Sequence, residues 1–165
     1  MIDKNTVSGS RHILPRISLS PEIEISRVVT GLWQVADMEK SGVPLDIEAG
    51  TQAMIDYIRE GFDTFDMADH YGSSELIAGS CIRHFNKASM SREYPFPKIF
   101  TKWCPKPDEM TSSVVAAGVK ERLNRLATTS IDLLQFHWWD YENPGYLDAL
   151  IALERCREDG VIVNL

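Results

Sequence analysis

Ile131-Asp132-Leu133-Leu134-Gln135-Phe136-His137 is the stretch that decides the fold. It carries apolar side chains on both faces for most of its length, and a strand of that kind is covered on both sides, as in a parallel sheet. Working outward, β-rich runs recur. Arg27-Val28-Val29-Thr30-Gly31-Leu32-Trp33 is one, residues 62–67 and 98–103 are two more, and residues 161–165 begin another. A parallel strand–helix–strand unit takes about 30 residues, and these runs fall at that spacing.

The segments between the runs have helical period. Ile47, Met54 and Ile58 share a face, with Asp46 placed to cap the helix and Gly61 to stop it. Ile77, Cys81 and Phe85 form a second face, opened by Ser74 with Glu75 in the first turn. Val115, Val119, Leu123 and Leu126 follow Thr111, and Leu147, Ile151 and Glu154 follow Pro144, with Gly160 ending that helix.

Repeated strand–helix pairs predict a parallel sheet with helices outside. A doubly wound nucleotide domain carries a Gly-x-Gly-x-x-Gly turn after its first strand, and this chain has none: Gly31 is followed by Leu32-Trp33. A (β/α) barrel has no such requirement, but needs about 200 residues or more. The chain has 165, and its fifth strand begins as it ends. The expected fold is therefore α/β, a parallel (β/α) barrel of TIM type truncated to about its first four to five units. Residues 27–165 form the partial barrel, and residues 1–26 an N-terminal segment containing a hairpin.

Composition narrows the function. Lys plus Arg number 17 against 24 Asp plus Glu, a net charge of −7, which argues against a nucleic-acid binder held by phosphate contacts. No apolar run approaches the roughly 18 residues of a membrane helix, and the start of the chain lacks the apolar stretch of a secretory signal. Cys81, Cys104 and Cys156 are odd in number and far apart, which predicts reduced thiols and a cytoplasmic protein.

In parallel barrels the chemistry sits at the C-terminal strand ends. Those ends deliver Trp33-Gln34, then Asp66 with Tyr71 five residues later, then Lys102, then His137. A carboxylate, a phenol, an ammonium and an imidazole thus converge on one mouth. Reducing a carbonyl with hydride requires a proton for its oxygen. A tyrosine, with an ordinary pKa of about 10, supplies it better beside an ammonium that favours phenolate. Lys102 is placed to do this, Asp66 to hold Lys102, and His137 to hold the carbonyl oxygen. Trp33, Trp103 and Trp138 are expected to line the substrate pocket. The competing chemistry is a zinc-type site from Asp66, Asp69, His70 and His137, but no His-x-His or His-Glu-x-x-His spacing supports a metal.

Phe65-Asp66-Met67-Ala68-Asp69-His70-Tyr71-Gly72 resembles the aldo-keto reductase signature around its catalytic Asp and Tyr. Phe100-Thr101-Lys102 resembles the strand carrying that family's Lys. Residues 119–126 followed by Ile131 to Trp138 resemble its helix and the strand ending in the catalytic His, and Leu147 to Gly160 its next helix. Met67 stands where the family usually has Thr. The resemblance implies Tyr71 as general acid, tuned by Asp66 and Lys102, with His137 orienting substrate. It implies NADPH as cofactor, approached within this chain by Gly31, Leu32, Trp33, Asp66 and Tyr71. The family's groups for the nicotinamide amide, pyrophosphate and 2′-phosphate follow its strands five to eight. The activity implied is reduction of an aldehyde or ketone, or the reverse alcohol oxidation. The alternative is a catalytically inactive reductase-like scaffold acting as a binding or regulatory module. The open sheet edges of a half barrel also predict self-association.

Overall fold

Five strands run parallel in the order β3-β4-β5-β6-β7, each beside its neighbour in sequence. They are β3 (Thr30–Gly31), β4 (Thr64–Asp66), β5 (Lys98–Trp103), β6 (Ile131–Phe136) and β7 (Ile162–Asn164). Between them lie α1 (Ile47–Arg59), α2 (Ser74–Lys87), α3 (Ser112–Leu126) and α4 (Gly145–Glu158). Parallel crossovers are right-handed almost without exception. A strand order that never reverses therefore puts all four helices on one face, the arrangement of a barrel wall rather than of a doubly wound sheet. A separate antiparallel hairpin, β1 (Arg16–Ser20) and β2 (Ile23–Ser26), precedes the sheet. The computed structural model describes residues 14–33, 46–87 and 93–165. Gln34 and residues 1–13 of the N-terminal segment lie outside them.

Local chemistry explains the helix ends. The Asp46 carboxylate accepts the amides of Glu48 and Ala49 at 2.9 and 3.1 Å, satisfying donors that the first turn of α1 leaves unpaired. Gly61 follows at φ +95°, a left-handed conformation that ends the helix. Thr111 caps α3 by accepting the amide of Val114. Ser74, expected to open α2 from outside, is instead its first residue, its hydroxyl bonded to the Ala68 carbonyl.

The main core lies between the helices and the sheet, around Phe65, Met67, Ile77, Phe85, Leu126, Leu134 and Leu153. A smaller one lies on the other face, where Ile23 and Ile25 of the hairpin meet Phe100, Leu133 and Val163. The hairpin closes the N-terminal ends of the strands. Ser26 donates its amide to Thr64 Oγ1, and Arg16 pairs with the fully buried Asp63 at 2.9 Å. This leaves the C-terminal ends as the open mouth.

Three sequence expectations are corrected. The first parallel strand is not residues 27–33 but Thr30–Gly31. The chain is still engaged with the hairpin before that point, through Arg27 N–H to Pro15 O and Ser26 Oγ to Val28 O. The buried stripe of α3 runs through Val115, Val119, Arg122 and Leu126, with Leu123 only partly covered. On α4, Leu147 and Ile151 are exposed, and Ala149, Ala152 and Leu153 face the core, small residues that let the helix lie close to α3 and β7.

Candidate active site

Side chains alternate along a strand, so positions two apart share a face. Register then aligns the inward positions: Asp66 opposite Phe100, and Lys102 opposite Gln135. Lys102 Nζ donates to Asp66 Oδ2 at 2.5 Å and to the Met67 carbonyl at 2.9 Å. Gln135 Nε2 donates to Asp66 Oδ1 at 3.0 Å. Both carboxylate oxygens are thereby committed, and the three side chains form one assembly across β4, β5 and β6. Lys102 is 8% exposed, so its charge is held largely out of water and answered by Asp66.

Tyr71 joins this group from the β4–α2 loop. Lys102 Nζ lies 5.3 Å from the centre of its ring. Trp33 meets the ring edge-on at 4.7 Å, and His70 does so at 4.9 Å. The loop is tied to β5 by Met67 N–H to Phe100 O and Asp69 N–H to Lys102 O, and closed on itself by Tyr71 N–H to Ala68 O. The phenol is pushed above its ordinary value, first by burial and then by the Asp66 carboxylate. This corrects the expectation that Lys102 lowers it. Lys102 is paired with Asp66 at 2.5 Å, so its ammonium does not offset burial at the phenol.

His137 extends β6 by one residue, donating its amide to the Trp103 carbonyl at 2.9 Å. Its ring meets Trp139 edge-on, and its Nδ1 is the one buried side-chain polar atom without a hydrogen-bond partner among the described residues. Of the tryptophans expected at the pocket, Trp33 stands at the mouth, 39% exposed. Trp103 and Trp138 do not. Trp103 alternates away from Lys102 and packs in the main core against Phe136, so tightly over Gly118 that a Cβ there would collide with its ring. Trp138 is buried in the same core and donates its indole N–H to the carbonyls of Asp140 and Asn143. Leu32 is also a core residue, while Gly31 is exposed beside Asp66.

Asp69 and His70 hold each other, Nδ1 to Oδ1 at 2.8 Å, and Asp69 Oδ2 accepts the Cys104 amide. Among the described residues, no group of three His, Cys, Asp or Glu is arranged to hold a metal, and no helix is long and apolar enough to cross a membrane. Two participants escaped the sequence reading. Gln135 was legible from phase, since it lies two residues before His137 on the same strand face. Arg122, with a terminal nitrogen 3.6 Å from Asp69 in the Tyr71 loop, was legible as a charge in the apolar stripe of α3.

A curated relative, the 6-dehydroglucose reductase of Agrobacterium fabrum, is 29% identical over 167 residues, covering 90% of this chain and 53% of the relative. The holo form of an aldo-keto reductase from Bacillus halodurans superposes with a TM-score of 0.69 at 19% identity, covering 90% of this chain and 48% of that one. A Bombyx mori aldo-keto reductase solved in complex with NADP gives 0.65 at 20% identity, covering 91% and 48%. The chain thus spans about half the length of the relatives it matches, and its sheet is the same α/β barrel wall as theirs. The profile of the Aldo/keto reductase family matches residues 27–165, and the chain belongs to that family.

Proposed function

We propose that this chain carries the proton-handling side of an NADPH-dependent carbonyl reductase, acting on aldehydes or ketones and, in reverse, on alcohols. The observation that carries the reading is the Asp66–Lys102–Gln135 assembly beside the Tyr71 ring at the open ends of parallel strands. Tyr71 is the general acid. A phenol, with an ordinary pKa of about 10, is protonated at neutral pH, as a donor must be. The proton is delivered late, to an oxygen that becomes alkoxide-like and is then a far stronger base than phenolate. Lys102 holds positive charge against that developing negative charge, fixed in place by Asp66.

His137 supports the substrate oxygen. Leaving a buried N–H unpaired is the rarer and costlier arrangement, so the neutral ring is best served with its bare lone pair at the unpartnered Nδ1. The proton then sits on Nε2, which can donate to a carbonyl.

The residues present fit a nicotinamide cofactor in one respect. Gly31 has open space where a Cβ would be, so a flat ring can approach the backbone there, with Trp33, Asp66 and Tyr71 around it. Bound NADPH supplies the hydride. A relative crystallised with NADP supports the choice of dinucleotide.

The test is Tyr71→Phe. NADPH binding, followed by quenching of tryptophan fluorescence, is expected to change less than about 3-fold, while reduction across a panel of aldehydes and ketones is lost. Retained turnover overturns the acid role, and turnover lost to a chelator points to metal chemistry instead. A second reading is a binding module without turnover. A folded chain that does not quench with NADPH supports that reading. Self-association is proposed through the end strands β3 and β7, and a monodisperse monomer in light scattering refutes it.

A further inference from the structure

We propose that Arg122 and Arg125 of α3 are positioning residues for Tyr71, clamping its loop on both sides and fixing it to the strand that carries Lys102. The proposal rests on the reading of Tyr71 as the acid, and deepens it.

The two arginines stand three positions apart on α3, so they share a face. Arg122, 5% exposed along its side chain, donates Nε to Glu75 Oε2 at 3.0 Å and places a terminal nitrogen 3.6 Å from Asp69 Oδ2. It also pairs with Glu121 at the surface. Arg125 donates Nε to the same Glu75 oxygen at 2.7 Å and a terminal nitrogen to the Gly72 carbonyl at 2.7 Å. The clamp therefore grips the loop two residues before Tyr71 and one residue after it.

The cluster also reaches β5. Thr101 Oγ1 donates to Glu75 Oε1 at 2.8 Å, and the Cys104 amide donates to Asp69 Oδ2 at 2.8 Å. These positions flank Lys102. One network thus fixes the loop of the phenol and the strand of the ammonium to a common frame. Gly79 lets α2 lie against the end of α3, where a Cβ would overlap the Arg125 carbonyl. Packing alone can press α2 on α3. It cannot hold a loop carboxylate and a backbone carbonyl at defined points, which the fork of a guanidinium does.

Stability gives no reason for this choice, because a buried ion cluster is commonly no better than an apolar replacement of the same volume. Geometry does give one. A misplacement of about 1 Å at a reacting group costs on the order of 100-fold in rate.

The experiment labels the full chain with 3-fluorotyrosine. Of its five tyrosines, Tyr71 is assigned by the line lost in Tyr71→Phe. Arg122→Lys and Arg125→Lys keep the charge and remove the fork. The expected result is a Tyr71 line that broadens or splits and titrates closer to free fluorotyrosine, with the other four lines unmoved. In carbonyl reduction, kcat falls about 10–100-fold while KM and NADPH affinity change less than about 3-fold. Should a lysine variant fail to fold, Thr101→Val removes only one hydroxyl bond and is expected to shift the line in the same direction, by less. A lowered melting temperature with an unchanged Tyr71 line overturns the proposal, leaving the clamp merely structural. Turnover retained in Tyr71→Phe overturns the acid role instead, and the fluorine line still decides whether the arginines hold the loop.

Discussion

Two carboxylates on opposite faces of one sheet solve the same problem differently. Asp66 faces the mouth, 31% exposed along its side chain, and is answered by one lysine and one amide. Glu75 faces the helices, fully buried, and is answered by two arginines and a threonine. The mouth uses a single compact charge with room for an incoming group beside it. The helix face puts two guanidinium groups on one oxygen and a threonine hydroxyl on the other, with no solvent at either. Burial raises the Glu75 pKa even against both arginines, a sign of how much the interior penalises charge. On the proposed roles, the difference teaches that the ion pair assigned to chemistry stays partly wet and the one assigned to geometry is sealed.

Removing Glu75 is the strongest way to break the comparison. Glu75→Ala leaves the buried Arg122 with Asp69 and Glu121, and the partly exposed Arg125 with the Gly72 carbonyl. Loss of one side of a buried pair costs about 3–5 kcal/mol, or a midpoint lower by roughly 10 °C in a chain of this size. Asp66→Asn leaves the nearly buried Lys102 an amide oxygen, the Met67 carbonyl and the solvent at the mouth, and is expected to cost less, about 1–3 kcal/mol. Thermal unfolding of the two side by side checks this, and equal losses would erase the distinction.

Lys102→Met tests the other half. Asp66 keeps Gln135 and gains water, so stability falls by about 1 kcal/mol. Carbonyl reduction is expected to fall by about 100-fold or more. A variant that loses stability heavily and keeps turnover would place Lys102 with the sealed cluster and not with the chemistry.

The sequence and the structure agree best where one physical signal acts alone. β5 spans Lys98–Trp103 in both, because a run of apolar and β-branched residues has no competing use. β3 shrinks because the hairpin claims the residues before Thr30, a contact between elements distant from the strand's own pattern. Trp103 and Trp138 were misplaced for a related reason. Adjacency to Lys102 and His137 suggested the mouth, while alternation sends Trp103 to the other face and the loop turns Trp138 inward. Leu147 and Ile151 share a helical face, yet periodicity does not say which face is covered, and α4 buries its alanines instead. The Arg122 clamp joins residues 53 positions apart at its widest, from Gly72 to Arg125, and local patterns do not report such pairs.

Asp132 is the smallest and sharpest test, lying between the two extremes. It accepts the Ile99 amide at 2.8 Å and has Lys98 3.7 Å away, and burial raises its pKa above the ordinary carboxylate value of 3.8. A raised value means that the folded chain binds this proton more readily than the unfolded chain. Between 3.8 and the raised value, stability therefore falls as pH increases, and the penalty is constant above it. Asp132→Asn keeps an acceptor for Ile99 and removes the titration. Wild type minus variant, measured by denaturant unfolding from pH 3 to pH 7, is expected to decline through that window and then level. A flat difference would mean that Lys98 cancels the burial. Sealing alone would then no longer separate the two kinds of ion pair.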